Sequence, residues 1–101
     1  MSIRYDGRVA IVTGAGNGLG RSHALGLSSR GAKVLVNDLG GAVDGTGVSD
    51  AARMVVEEIT AAGGQAIANG ADVSKIDEVK EMVAQATAEW GGVDILVNNA
   101  G

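Results

Sequence analysis

The sequence predicts an α/β domain in which a parallel sheet is covered by helices on both faces. Three observations predict it. The short runs VAIV (9–12), KVLVN (33–37) and DILVN (94–98) are largely apolar at successive positions, the pattern of strands buried on both sides rather than one. Between them lie longer stretches whose apolar residues return at helical spacing and stop at glycine. The connections are short, and strands that alternate with helices as βαβαβαβ run parallel.

Each element has its own signal. Val9 to Val12 is too short for a helix and is bounded by glycines. Leu19 to Ser29 fits a helix with Ala24 and Leu27 inward and Gly31 as its stop. Lys33 to Asn37 repeats the apolar strand, and the glycine-bearing loop LGGAVDGTG follows it. Val48, Ala52, Val55, Ile59 and Ala62 mark a second helix that Gly63-Gly64 ends. Gln65 to Asn69 is a weaker strand, because alanine is a poor strand former. Ser74 with Asp77 three residues on reads as an N-cap with a capping-box-like start. Ile76, Val79, Val83, Ala86 and Trp90 then give one face of a helix closed by Gly91-Gly92. Asp94 to Asn98 is the fourth strand.

Composition narrows the function classes. The chain has 101 residues, enough for one small domain, with 46% hydrophobic and 20% charged residues. It has one Tyr, one Trp and no Phe, so its core is aliphatic. A formal net charge of -4 without a cluster of Lys or Arg argues against a nucleic-acid partner. The absence of Cys excludes disulfides and thiolate metal sites, and no metal is expected. No apolar stretch approaches the roughly 20 residues a membrane span requires. The start MSIRYDGR lacks the apolar segment of a signal peptide, so an intracellular, cytoplasmic setting is expected.

The chemistry concentrates in TGAGNGLG (13–20), with glycine at every second position directly after the first strand. Where a strand, a glycine-rich turn and a helix N-terminus meet, unpaired amide N–H groups and the positive end of the helix dipole converge on an anion. Gly14 permits the tight turn, Gly18 allows a pyrophosphate to approach, and Gly20 lets the helix lie close to the sheet. Leu19 and Asn17 belong to the same turn. The plainer alternative is a tight βα connection that binds nothing. Asp38, at the end of the second strand, sharpens the ligand reading, because an acid there accepts hydrogen bonds from both ribose hydroxyls of an adenosine. It also repels a 2′-phosphate, which favours NAD over NADP, and Asn17 brings no positive charge to offset that repulsion. The alternative for Asp38 is a turn residue in Asn37-Asp38-Leu39-Gly40.

With T-G-x-x-x-G-x-G at 13–20, Asp72-Val73 after the third strand and N-N-A-G at 98–101, the chain resembles the short-chain dehydrogenase/reductase family from about Tyr5 onward. The resemblance implies the N-terminal half of a Rossmann-type doubly wound fold, with strand order 3-2-1-4 and the fourth strand an exposed apolar edge, and NAD as cofactor. It implies that Asp72 contacts the adenine amino group and that the backbone next to Val73 lines the adenine pocket. Asn99 and Ala100 would line the ribose side through backbone contacts, and the Asn residues of that segment would also brace the sheet. YDGRVAIVTGAGNGLGR, VNDLGG, the long loop before VVEEI and AGGQAIAN look more narrowly like the (3R)-hydroxyacyl-CoA dehydrogenase units of peroxisomal multifunctional enzymes. Ala71-Asp72 departs from that group. The narrower likeness implies a 3-hydroxyacyl-CoA substrate, a homo-oligomeric parent and a peroxisomal address as the alternative compartment. A 3-oxoacyl-carrier-protein reductase or another ketone reductase of the family is the alternative activity.

The family's catalytic Ser and Tyr-x-x-x-Lys are not in this sequence. Tyr5 is the only Tyr and position 9 is Val, so Tyr5 is expected to be a partly buried packing residue at the sheet's entry. Residues 1–101 are therefore expected to be the cofactor-binding half of a longer enzyme, cut before its catalytic segment. Two other readings stay open, a nucleotide-binding module without catalysis and a fragment that binds nothing. His23 is expected to face solvent or pack on its helix, and Trp90 to close the apolar face of the third helix. Asp77, Glu78 and Glu81 are expected to be solvated acids that complement a helix N-terminus. Arg53, Glu57 and Glu58 read as an exposed flank, and Arg21 either approaches a phosphate or is an ordinary exposed arginine.

Overall fold

The structure is a computed structural model that describes residues 4–16, 18–39 and 49–99. Seven elements alternate along it: β1 (Val9–Val12), α1 (Gly18–Ser29), β2 (Lys33–Asn37), α2 (Asp50–Ala61), β3 (Gln65–Asn69), α3 (Ile76–Trp90) and β4 (Ile95–Val97). The strands form one parallel sheet in the order β3-β2-β1-β4, which is the expected Rossmann-type half. Ile11 stands beside Leu35 on one side and Leu96 on the other, and Leu35 stands beside Ile67.

The pleat sorts the strand residues onto two cores. Val12, Val34 and Val36 pack with Ala24, Ala52, Val55 and Ile59 under α1 and α2. Val9, Ile11 and Leu35 pack with Ala71, Met82 and Ala86 under α3. This two-sided cover is why β1 and β2 are apolar at successive positions. Burial of a side chain such as Ile11 or Leu35 contributes about 1.5–3 kcal/mol. The buried residues of α1 are Gly20 and Ala24, small enough for that helix to sit close. Gly91 ends α3 in the left-handed region, φ 90°, with its N–H on the Thr87 carbonyl, as the sequence predicts.

Three local expectations need correction. Ser74 does not cap α3. Lys75 holds the N-cap position without a side-chain bond, and the Ser74 hydroxyl instead donates to Asp72 two residues earlier. The inward stripe of α3 runs through Val79, Met82, Ala86 and Trp90, while Ile76 is 66% exposed and Val83 also faces outward. Both stripes have helical spacing and share three residues, so periodicity alone does not separate them. The longer, unbranched Met82 is the one that reaches the sheet. Finally, β4 is not buried on both faces. Leu96 is on the α3 side, but the α3 core is centred on β1 and β2, and Leu96 is left 62% exposed.

Tyr5, His23 and Trp90 fall where expected, whereas Glu78, expected to be a solvated acid, accepts the Asp72 N–H and pairs with Lys75. Tyr5 packs partly against the α1–α2 core and donates its N–H to the Arg30 carbonyl, at the amino end of the sheet. His23 is exposed, and Trp90 is partly buried against the α3 core. The second helix begins at Asp50. Val48 and the loop from Gly40 lie outside the described residues.

Candidate functional site

Because all four strands run parallel, their carboxyl ends share one rim, and the sheet order reverses there between β1 and β4. Open α/β sheets bind ligands at such a point. The rim collects Thr13–Gly16 after β1, Asp38 after β2, Ala71–Val73 after β3 and Asn98-Asn99 after β4. Asn17 and Ala100 lie outside the described residues.

The β1–α1 turn is built on backbone freedom. Gly14 and Gly18 have φ of 61° and 58°, a region that side chains disfavour. Gly18 is exposed, and among the described residues an ideal Cβ on it would meet nothing within 4 Å. Gly20 is needed for a different reason. A Cβ there would collide with the Gly14 carbonyl and lie 2.8 Å from Nδ2 of Asn99, so Gly20 lets α1 close onto the loop itself rather than onto a strand. Leu19 is 71% exposed on the first turn.

Hydrogen bonds tie this turn to both neighbouring strands. Ala15 N–H donates to the Asn37 carbonyl at 2.7 Å. The buried Thr13 hydroxyl lies 3.3 Å from the Val97 carbonyl and from Oδ1 of Asn98, and accepts the Asn99 N–H at 3.0 Å. Asn99 Nδ2 donates to the Gly14 carbonyl at 3.3 Å. The Asn98-Asn99 segment thus braces β4 against the glycine turn, as the sequence predicts.

Asp38 sits half-buried beside that turn, its N–H on the Asn69 carbonyl. Its carboxylate lies against Gly16, where an ideal Cβ would fall 2.5 Å from Oδ2. Gly16 is therefore a site residue that the spacing rule passes over. Ser49, the N-cap of α2, donates its hydroxyl to the same Oδ2 at 3.0 Å. Arg21 does not reach toward the turn. It pairs with Glu58 of α2, Nε to Oε1 at 3.0 Å and Nη2 to Oε2, so Glu58 is a partner between two helices rather than a free flank.

The β3 end is set by an amide ladder. Buried Asn37 donates from Nδ2 to Oδ1 of Asn69 at 2.9 Å and to the Ala71 carbonyl at 3.1 Å. Asn69 in turn accepts the Ala71 N–H and donates to Gln85. The ladder places Asp72 and Val73 on the rim. Asp72 Oδ1 accepts from the Ser74 hydroxyl at 2.6 Å and the Ser74 N–H at 2.9 Å, and these bonds hold its carboxyl below the usual carboxylate range. Val73 lines an open apolar hollow of about 380 Å³ with Thr13, Val79, Met82, Leu96 and Asn98. Among the described residues no cluster of His, Asp and Glu is gathered to hold a metal.

These residues fit a dinucleotide. The space in front of Gly18, at a helix N-terminus, suits a diphosphate, and a carboxylate set beside Gly16 suits a ribose. No helix among the described residues is long and apolar enough to cross a membrane.

Known proteins agree in kind. The family model for short chain dehydrogenases matches residues 8–101. The chain is 55% identical over 100 residues to peroxisomal multifunctional enzyme type 2 of Drosophila melanogaster, covering 98% of this chain and 16% of that protein. It superposes on the crystal structure of a short chain dehydrogenase from Mycobacterium avium with TM-score 0.90 and 53% identity, covering 95% of this chain and 34% of the other. It also superposes on 7α-hydroxysteroid dehydrogenase complexed with NADH and 7-oxo glycochenodeoxycholic acid, with TM-score 0.85 and 43% identity over 97% of this chain and 35% of the other. The chain thus spans about a third or less of the proteins it matches. It belongs to the short-chain dehydrogenase family.

Proposed function

We propose that residues 1–101 are the cofactor-binding portion of an NAD-dependent oxidoreductase that transfers hydride between nicotinamide and a secondary alcohol or ketone. The observation that carries this reading is the Asp38 carboxylate on the sheet rim beside Gly16, next to the turn that leads into the exposed Gly18 at the start of α1. The main chain at Gly14, Asn17, Gly18, Leu19 and Gly20 would hold the diphosphate. Asp38 would hold the adenosine ribose and turn away a 2′-phosphate. Asp72 and Val73 would border the adenine, and the backbone of Asn99 and Ala100 the ribose side. The bound nicotinamide supplies the hydride acceptor or donor. The chain's own contribution is to grip and orient that group, and the catalytic side chains belong to sequence outside residues 1–101.

An acyl thioester of the 3-hydroxyacyl type is the substrate class we favour. Its support is the likeness in VNDLGG, the loop after it and AGGQAIAN, together with the identity to the multifunctional enzyme. That relative's name also supports the peroxisome over the cytoplasm as the compartment.

Titration of the full-length protein with NAD and NADP tests the cofactor reading. Asp38→Ala is expected to weaken NAD by about 1–3 kcal/mol, the range for losing charge-assisted hydrogen bonds, and to shrink the preference over NADP. Unchanged affinity for both would remove Asp38 from the site.

A further inference from the structure

We propose that Ser49 is a positioning residue for the cofactor, fixing the Asp38 carboxylate while it caps α2. The proposal rests on the reading that Asp38 holds the adenosine ribose. The Ser49 hydroxyl has one proton, and the structure commits it. Its oxygen accepts the Ala52 N–H at 3.1 Å, and its proton goes to Oδ2 of Asp38 at 3.0 Å. On the other side, the bare Cα of Gly16 leaves no room for a side chain, since a Cβ there would lie 2.5 Å from Oδ2 and 2.8 Å from Cβ of Ala51. Oδ2 is therefore held between the glycine turn, Ser49 and the first turn of α2. An acid fixed this way meets the ribose without first losing rotamer freedom, and it holds its charge where a 2′-phosphate would have to pass. The same hydroxyl couples the start of α2 to the ligand rim, across a gap in sequence that no local motif spans.

The test is calorimetric titration of the full-length protein with NAD and NADP, with melting temperature read alongside. Ser49→Ala is expected to weaken NAD about three- to tenfold, the cost of ordering one side chain on binding. It should have no further effect in an Asp38→Ala background. Ser49→Thr keeps the hydroxyl and should bind NAD as the native protein does. Ser49→Gly keeps a favourable N-cap residue but has no hydroxyl for Asp38. It should melt within a few degrees of the native protein yet lose as much NAD affinity as Ser49→Ala. A Ser49→Gly protein with native NAD affinity overturns the proposal, as does a Ser49→Ala loss of equal size with and without Asp38. In both cases a weakened Asp38→Ala protein still upholds the ribose reading. If Asp38→Ala itself binds NAD normally, that reading fails, and the role of Ser49 fails with it.

Discussion

At Asp72 a single side chain decides how a loop ends. Its Oδ1 accepts both the Ser74 hydroxyl and the Ser74 N–H, while its own N–H donates to Oε1 of Glu78 at 3.0 Å. The carboxyl is held below its ordinary range, so the folded state binds that proton less readily than the unfolded chain does. The stabilisation is complete above the unfolded value, about 3.9, and is lost as pH falls through the lower folded value. Ser74→Ala should raise the Asp72 carboxyl toward the ordinary value, as read by NMR titration, and an unmoved titration would deny the bond. Gly18 gives a second test at this scale. Valine there would be strained at φ 58° whatever the ligand, so loss of binding in Gly18→Val would not report on the ligand alone. Asparagine tolerates that region, and among the described residues its Cβ would meet nothing within 4 Å. Gly18→Asn should therefore melt within a few degrees of the native protein and lose at least about tenfold in NAD affinity. Retained affinity would place the diphosphate elsewhere. Gly14, Gly18 and Asp38 were legible because each obeys a local rule of spacing. Gly16 was not, because the carboxylate that requires it arrives from another strand.

Elements were legible to the extent that one pattern excluded another. Strands β1, β2 and β3 match their sequence-predicted bounds, since no helix fits four or five apolar residues between turns. On α3 two apolar stripes competed, and only packing against the sheet selects Met82 over Val83. Met82→Ala is expected to cost about 2–5 kcal/mol in urea unfolding, and Val83→Ala about 0.5 kcal/mol or less. The reverse order would mean that α3 sits rotated from the position described. The capping-box expectation at Ser74 failed for a related reason. A serine can serve a helix start or a preceding acid, and Asp72 lies nearer. Arg21 and Glu58 show the opposite limit, since neither α1 nor α2 alone announces its partner. Their side chains remain 43% and 39% exposed, so solvent screens the pair and it is a modest link.

For the whole molecule, parallel strands and alternating helices bring the ends of all four strands to one rim, and this is what turns scattered residues into a site. The order 3-2-1-4 was expected from the resemblance to a Rossmann-type fold, and no single strand announces it. The exposure of Leu96 agrees with the apolar edge expected at β4, and not with the apolar run DILVN read as a strand buried on both faces. The account's central claim is that main-chain amides of the glycine turn hold a diphosphate while Asp38 holds the adjoining sugar. A crystal structure of the full-length protein grown with NAD tests it most directly. The account predicts the diphosphate over the start of α1 at Gly18 and both adenosine ribose hydroxyls within hydrogen-bond distance of the Asp38 carboxylate. A dinucleotide bound away from the β1–α1 turn, or a ribose that leaves Asp38 untouched, would contradict it.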